Sequence, residues 1–160
     1  MRTAVVFYSL TGNTAMAAGH IAAALGADLI ELKPVKSYPD KGFRKFFWGG
    51  KSAVMAETPA LEPIQFCAAD YDRIVFGFPV WAGTIAPPVR SFIAVHRAEL
   101  AGKQISSFAC QSGAGAAKAF RKLEECLGMG PLRAELVLID PADKPDPANE
   151  EKIRAFCEKC

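Results

Sequence analysis

Apolar positions in this chain fall into short unbroken runs, separated by stretches with apolar residues three and four apart, and the two patterns alternate from end to end. The runs predict strands at Thr3–Tyr8, Asp28–Lys33, Arg73–Phe78, Gln104–Cys110 and Ala134–Ile139. The wider spacing predicts helices near Asn13–Leu25, Gly42–Met55, Pro88–Glu99, Gly115–Leu127 and Ala148–Glu158. A strand that is apolar at successive positions, as Ala4 to Tyr8 is, must be covered on both faces, which favours parallel pairing. Strands alternating with helices then predict an α/β fold, a doubly wound five-stranded parallel sheet with helices on both faces. Right-handed crossovers leave few topologies, and we expect the order 2-1-3-4-5. Its ligand crevice lies at the carboxyl ends of strands 1 and 3, where the chain reverses direction.

The long irregular stretch from Pro34 to Asp72 is broken by Pro39, Pro59 and Pro63 around one helical segment, and connections of that length in a compact domain are often functional. Within it, the segment from Lys41 to Lys51 mixes basic and aromatic residues. We expect Phe43, Phe46 and Phe47 to pack the second helix onto the sheet and the cations to face water, with Trp48 left at the surface.

Composition narrows this picture without changing it. The length of 160 residues suits one domain, residues 1–160, and 51% apolar with 22% charged residues is a globular balance. No apolar run reaches the ~18 residues that span a bilayer, and the start lacks an apolar stretch with a cleavage site, so we expect a cytoplasmic protein without stable membrane insertion. A net charge of +2 with interspersed signs argues against a nucleic-acid partner. Cys67, Cys110, Cys126, Cys157 and Cys160 form an odd set that fits a reducing compartment. Only Cys157 and Cys160 are close in sequence, and with His20 and His96 isolated, no metal site is expected; the pair reads as a frayed helix end.

Chemistry concentrates in three loops that this topology brings to one rim. The first strand runs into Ser9-Leu10-Thr11-Gly12-Asn13-Thr14, which offers hydroxyl and amide groups, a glycine for close backbone approach and the N-terminus of a helix. It holds no Lys or Arg, so an anion here would be held by neutral donors, as suits a phosphate that stays bound. The same residues could equally be a helix cap. Strand 3 ends in Pro79-Val80-Trp81-Ala82-Gly83-Thr84, which presents an aromatic ring between small residues, with Pro88 suited to open the next helix. Strand 4 ends in Gln111-Ser112-Gly113-Ala114-Gly115, a small-residue turn with free backbone amides. A phosphate loop, an aromatic surface and amide donors together suit a flat mononucleotide.

With these residues the chain resembles the flavodoxin family over essentially its whole length, through Ser-x-Thr-Gly-Asn-Thr at Ser9–Thr14 and Pro-Val-Trp-x-Gly-x-x-x-Pro-Pro at Pro79–Pro88. The resemblance implies FMN, with Ser9 to Thr14 around its phosphate, Trp81 against the isoalloxazine and Gln111 to Gly115 at the pyrimidine edge. It also implies that the peptide after the aromatic residue, here Ala82, meets flavin N5 and tunes the half-reduced flavin. Many members have Gly there, and a Cβ makes a flip into positive φ costlier. Many electron carriers of the family place a Tyr in the strand 4 loop over the other flavin face, whereas this chain has no aromatic from Ser112 through Ala117. That open face and the near-neutral charge lean toward a reductase of a quinone or another small acceptor, fed by NAD(P)H or a reductase protein. The alternative is a non-catalytic electron shuttle serving partner redox proteins. In both, the cofactor performs the redox step, and no side chain is required as a catalytic acid or base.

Other chemistries with a similar architecture are excluded by residue. A low-molecular-weight phosphatase needs a thiolate and an Arg in the first loop, and a receiver domain needs an Asp where Pro79 stands. Gly49-Gly50-Lys51-Ser52 lacks the first glycine of a nucleotide-triphosphate loop, which falls at Lys45, and Gly113-x-Gly115 lacks the third glycine of a dinucleotide fingerprint, which falls at Lys118.

Overall fold

The structure, a computed structural model, describes residues 1–39, 51 and 56–160. Its sheet has the order β2-β1-β3-β4-β5, all neighbours parallel: β1 is Thr3–Phe7, β2 Asp28–Glu31, β3 Arg73–Pro79, β4 Gln104–Gln111 and β5 Glu135–Ile139. The described helices are α1, Asn13–Leu25; α2, Pro87–Leu100; α3, Ala116–Leu127; and α4, Ala148–Lys159, with a short 3-10 turn at Ala68–Asp70. This is the expected topology, the flavodoxin-like doubly wound sheet. The expected helix at 42–55 and the basic aromatic segment 41–51 fall, apart from Lys51, outside the described residues.

Alternation along the strands divides the core between the two faces of the sheet. Val6, Ile74, Phe76, Phe78 and Ile105 join Val89, Phe92, Phe120 and Leu123 from α2 and α3 in one buried cluster. Val5, Phe7, Val75, Phe108 and Leu138 join Ala17, Ile21 and Phe156 from α1 and α4 in the other. α1 lies against the sheet through the small residues Ala17, Ala18 and Ala22, all buried, so a thin helix covers the first loop from behind. Among the described residues no helix is long and apolar enough to cross a membrane.

Strand and helix ends move by a residue or two from expectation, each for a local reason. β2 stops at Glu31 because the chain turns away after the Leu32 N–H bonds the Phe7 carbonyl at 2.7 Å. Residues 33–35 then pair antiparallel with 60–62, through a Pro34–Leu61 bridge. α2 opens at Pro87, one residue before the Pro88 that the sequence suggested, because Ala86 is still extended at φ −64°, ψ 138°. The last helix does not fray. Cys160 is buried, and its carbonyl accepts a 2.9 Å bond from Arg73 Nη1 while the Lys159 carbonyl accepts one of 3.0 Å from Arg133 Nε. Burial also pushes the Cys157 thiol up to about 11, with Cys160 adding to the effect, so Cys157 is no ready nucleophile.

Candidate functional site

The carboxyl ends of β1, β3 and β4 meet in a cleft of about 240 Å³ whose walls come from all three expected loops. Leu10, Thr11, Asn13, Thr14, Pro79, Val80, Trp81, Ala82, Gln111, Ser112 and Gly113 line it, joined by Cys110, Ala114, Asp140 and Asp143. Ser9, Gly12, Gly83, Thr84 and Gly115 stand behind this lining and shape it. The β5–α4 loop was not anticipated as a wall; the only sequence signal for it was the cluster Pro141, Pro145 and Pro147.

At the first loop the side chains build the turn and leave the backbone free. Ser9 Oγ accepts the N–H of Gly12 at 3.2 Å and of Ala15 at 3.1 Å, which folds the chain back over the helix start. Gly12 takes φ +101° at the N-cap, a conformation that disfavours a Cβ. The N–H groups of Thr11, Asn13 and Thr14 have no hydrogen-bond acceptor among the described residues. Unpaired amides at a helix N-terminus, where the dipole is positive, form an anion cradle that requires no cation.

The Asn13 side chain, unlike its backbone N–H, is engaged within the protein. Its Oδ1 accepts the N–H of Ala142 at 2.8 Å and of Asp143 at 3.3 Å, so its Nδ2 faces the other way and donates to Asp143 Oδ2 at 3.0 Å and Thr11 Oγ1 at 3.4 Å. Asn13 is 8% exposed. It is a staple between the first loop and the β5–α4 loop. Gln111 also makes an internal bond: its Oε1 accepts the Ala116 N–H at 3.0 Å and so caps α3 in place of Gly115, which has no side chain.

The loops brace one another around the cleft. Asp140 donates its N–H to the Gln111 carbonyl at 3.1 Å and accepts from Ser112 Oγ at 2.8 Å, with Lys144 Nζ 3.2 Å from its other oxygen. The Val80 N–H bonds the Cys110 carbonyl at 2.9 Å. Gly115, at φ +110°, lets the strand 4 loop touch the strand 3 loop; a Cβ there would meet Gly83 Cα at 3.0 Å and Val80 Cγ1 at 3.3 Å. Cys110 forms part of the floor beside Thr14. Burial pushes its thiol up to about 12 against the opposing Thr14 hydroxyl, so it stays protonated.

At the opposite end, Trp81 is half-buried and meets Tyr8 at 5.6 Å and 88° and Tyr38 at 5.2 Å and 77°, with Tyr8 and Tyr38 themselves 6.4 Å apart. Edge-to-face pairs of this kind orient the indole before any ligand arrives. Burial, reinforced by Tyr38, pushes the Tyr8 phenol well above its usual range, so Tyr8 stays protonated. The sequence named Trp81 and missed both tyrosines, because Tyr8 reads as the end of a core strand and Tyr38 lies in the irregular stretch.

Trp81 and Thr84 exchange backbone bonds of 3.2 and 3.0 Å around Ala82 at φ +51° and Gly83 at φ +69°. Both central residues are left-handed, as in a type I′ turn. Ala82 therefore already has the positive φ that the sequence treated as a costly excursion.

Together the loops place unpaired backbone amides at one end of the cleft and the Trp81 indole at the other. The model of the family described as Flavodoxin matches residues 2–132, and the chain belongs to the flavodoxin family. No curated protein matches it. Among solved structures it is similar to a candidate flavoprotein from Bacteroides uniformis ATCC 8492, at 24% identity over 99% of this chain and 98% of that one, with a TM-score of 0.76. A flavoprotein in complex with FMN from Lactobacillus acidophilus NCFM is 18% identical over 89% and 95%, with a TM-score of 0.73. A flavodoxin from the domain Archaea is 16% identical over 98% and 94%, with a TM-score of 0.64. At these identities the structural likeness carries the fold, while membership rests on the family match.

Proposed function

We propose that this chain is an FMN-binding oxidoreductase that passes electrons from NAD(P)H or a reductase protein to a quinone or another small acceptor. The cofactor is FMN, and the cleft fits it. The free amides of Thr11, Asn13 and Thr14, with the hydroxyls of Thr11 and Thr14, hold the phosphate, and Ser9 shapes the turn that presents them. Trp81 and the Val80–Gly83 backbone meet the isoalloxazine, and Ser112 to Ala114 meet its pyrimidine edge. Bound there, FMN supplies the electron chemistry, and the chain binds it, orients it and limits its contact with water.

The observation that carries the reductase reading is the composition of the cleft wall. Among the described residues Trp81 is the one aromatic in its lining, and the wall opposite, from Ser112 to Ala114, is made of small residues that leave space for a second flat molecule. A cytoplasmic location accords with the free cysteines.

The test is steady-state oxidation of NAD(P)H by the purified holoprotein with a quinone as acceptor. Turnover well above that of free FMN supports the reading. No turnover, together with rapid reduction of the bound flavin by a flavodoxin reductase, would replace it with the electron shuttle.

A further inference from the structure

Two cations flank the ring-end turn, and neither has a counter-ion. Lys118 stands in the first turn of α3, exposed, with its stem along Gly83: a Cβ on that glycine would come 3.4 Å from Lys118 Cδ. Arg90 of α2 lies against the other end of the turn. Its Nη2 donates to Thr84 Oγ1 at 3.4 Å and its Nη1 to Cys126 Sγ at 3.1 Å, while its Nε is buried with no partner among the described residues. No described carboxylate lies within ion-pair distance of either cation, whereas Arg121, Lys122, Lys144 and Arg154 each have one.

Lys118 stands where the strand 3 and strand 4 loops touch, since a Cβ on Gly115 would meet Gly83 Cα at 3.0 Å. That is the lip of the cleft between Trp81 and the small-residue wall from Ser112 to Ala114. The carboxylates around the cleft do not offset the two cations. Asp140 is engaged by Lys144 and Ser112, and Asp143 accepts from Asn13 at the phosphate end. Glu31 and Glu62 face a separate groove, lined also by Leu10 and Tyr38. The phosphate of FMN, held at the start of α1, is at the far end of the cleft. An anion arriving at the open wall therefore meets unneutralised positive charge.

We infer that Lys118 selects the second molecule by its charge, so that the acceptor favoured at the ring end is a flat quinone bearing an anionic group, a sulfonate or a carboxylate. The inference rests on the reductase reading above and names its substrate class. Lys118 makes the contact, and Arg90, half-buried and so less screened by water, adds a field of the same sign. The attraction acts on encounter as well as in the complex, because unlike charges raise the association rate. The transfer itself is unaltered: the quinone gains two electrons and two protons from reduced FMN and leaves as the hydroquinone, and FMN is left oxidised.

The experiment uses the FMN-loaded protein, photoreduced without oxygen and mixed in a stopped flow with anthraquinone-2-sulfonate or with unsubstituted 1,4-naphthoquinone. The ratio of the two second-order rate constants is the readout, because any change in the flavin itself enters both. An exposed charge pair contributes little, so Lys118→Gln should lower the sulfonate-to-neutral ratio about threefold, and Lys118→Glu, which adds repulsion, about tenfold. The difference between wild type and variants should vanish near ~1 M salt, where charges are screened within ~3 Å. Spectral titration of the oxidised holoprotein with anthraquinone-2-sulfonate should show its dissociation constant rising in the same order. A ratio unchanged in both variants, or a difference that persists in high salt, overturns the role of Lys118 and leaves the reductase reading standing. Reduced protein that passes electrons to neither quinone overturns the reductase reading and the selectivity with it. Should Lys118→Glu not fold, Lys118→Gln, which keeps the stem along Gly83, still decides.

Discussion

The two ends of the cleft are built by opposite means. At the phosphate end, polar side chains are consumed in making the loop: Ser9 caps the turn, Asn13 staples it to a segment 130 residues along the chain, and the backbone amides remain for the ligand. At the ring end, Trp81 is held by the edges of Tyr8 and Tyr38 and by a turn with two left-handed residues. One end is preset by hydrogen bonds and the other by packing. A ligand that lacks the phosphate therefore feels only one of them.

The largest effect should come from separating the ends with two ligands. Removing a flat stacking partner costs about 1–3 kcal/mol, so Trp81→Ala should weaken FMN and riboflavin alike, by roughly ten- to a hundredfold. A hydrogen bond to a charged group is worth about 1.5–3 kcal/mol, so Thr11→Ala should weaken FMN by a similar factor and leave riboflavin unchanged. Fluorescence titration reads both. Equal loss for the two flavins in Thr11→Ala, or unchanged FMN affinity in Trp81→Ala, contradicts the assignment of the ends.

A smaller effect tests whether the phosphate end is preset by Asn13. Asn13→Ala deletes a side chain that makes hydrogen bonds to Thr11, Ala142 and Asp143 from a buried position. With net hydrogen bonds worth about 1 kcal/mol each, and some of the freed groups regaining water, the expected loss is about 2 kcal/mol. For a chain of this size that is a fall of roughly 4–8 °C in Tm. Urea denaturation of the flavin-free protein measures it. A loss below about 0.5 kcal/mol would show that the β5–α4 loop holds its place without the staple.

Much of this was legible in the sequence because it depends on neighbours in the chain. Val5, Val6 and Phe7 form a buried strand through their own alternation between the two core clusters, and the small residues of α1 make it a close cover. The loops at Ser9–Thr14, Pro79–Thr84 and Gln111–Gly115 followed, since their turn residues sit at the strand ends. What the sequence could not show is set by contacts across the chain. Nothing near Asn13 says that its amide is taken by Ala142 and Asp143, and nothing near Trp81 says that Tyr38 closes on it. Ala82 is a further case: alanine ordinarily avoids positive φ, and only the paired Trp81–Thr84 bonds hold it there.

That last residue gives the finest test of the ring end. A left-handed conformation costs an L-residue with a Cβ roughly 1–2 kcal/mol, which Gly would not incur. Gly in turn loses more freedom on folding, which costs about 0.4–1 kcal/mol relative to Ala. The first quantity is the larger, so Ala82→Gly should stabilise the protein, by about 0.5–1 kcal/mol, or roughly 2–3 °C in Tm. Ala82 is exposed, so its methyl contributes little packing to set against this gain. If the turn is preset by the Trp81–Thr84 bonds, FMN affinity should stay within about twofold of wild type, because both residues hold the same backbone. Urea denaturation with a flavin titration separates the outcomes: a destabilised variant would show that Ala82 bears no strain, and a stabilised variant with much weaker FMN binding would show that its rigidity, not the aromatic clamp, orients the ring end.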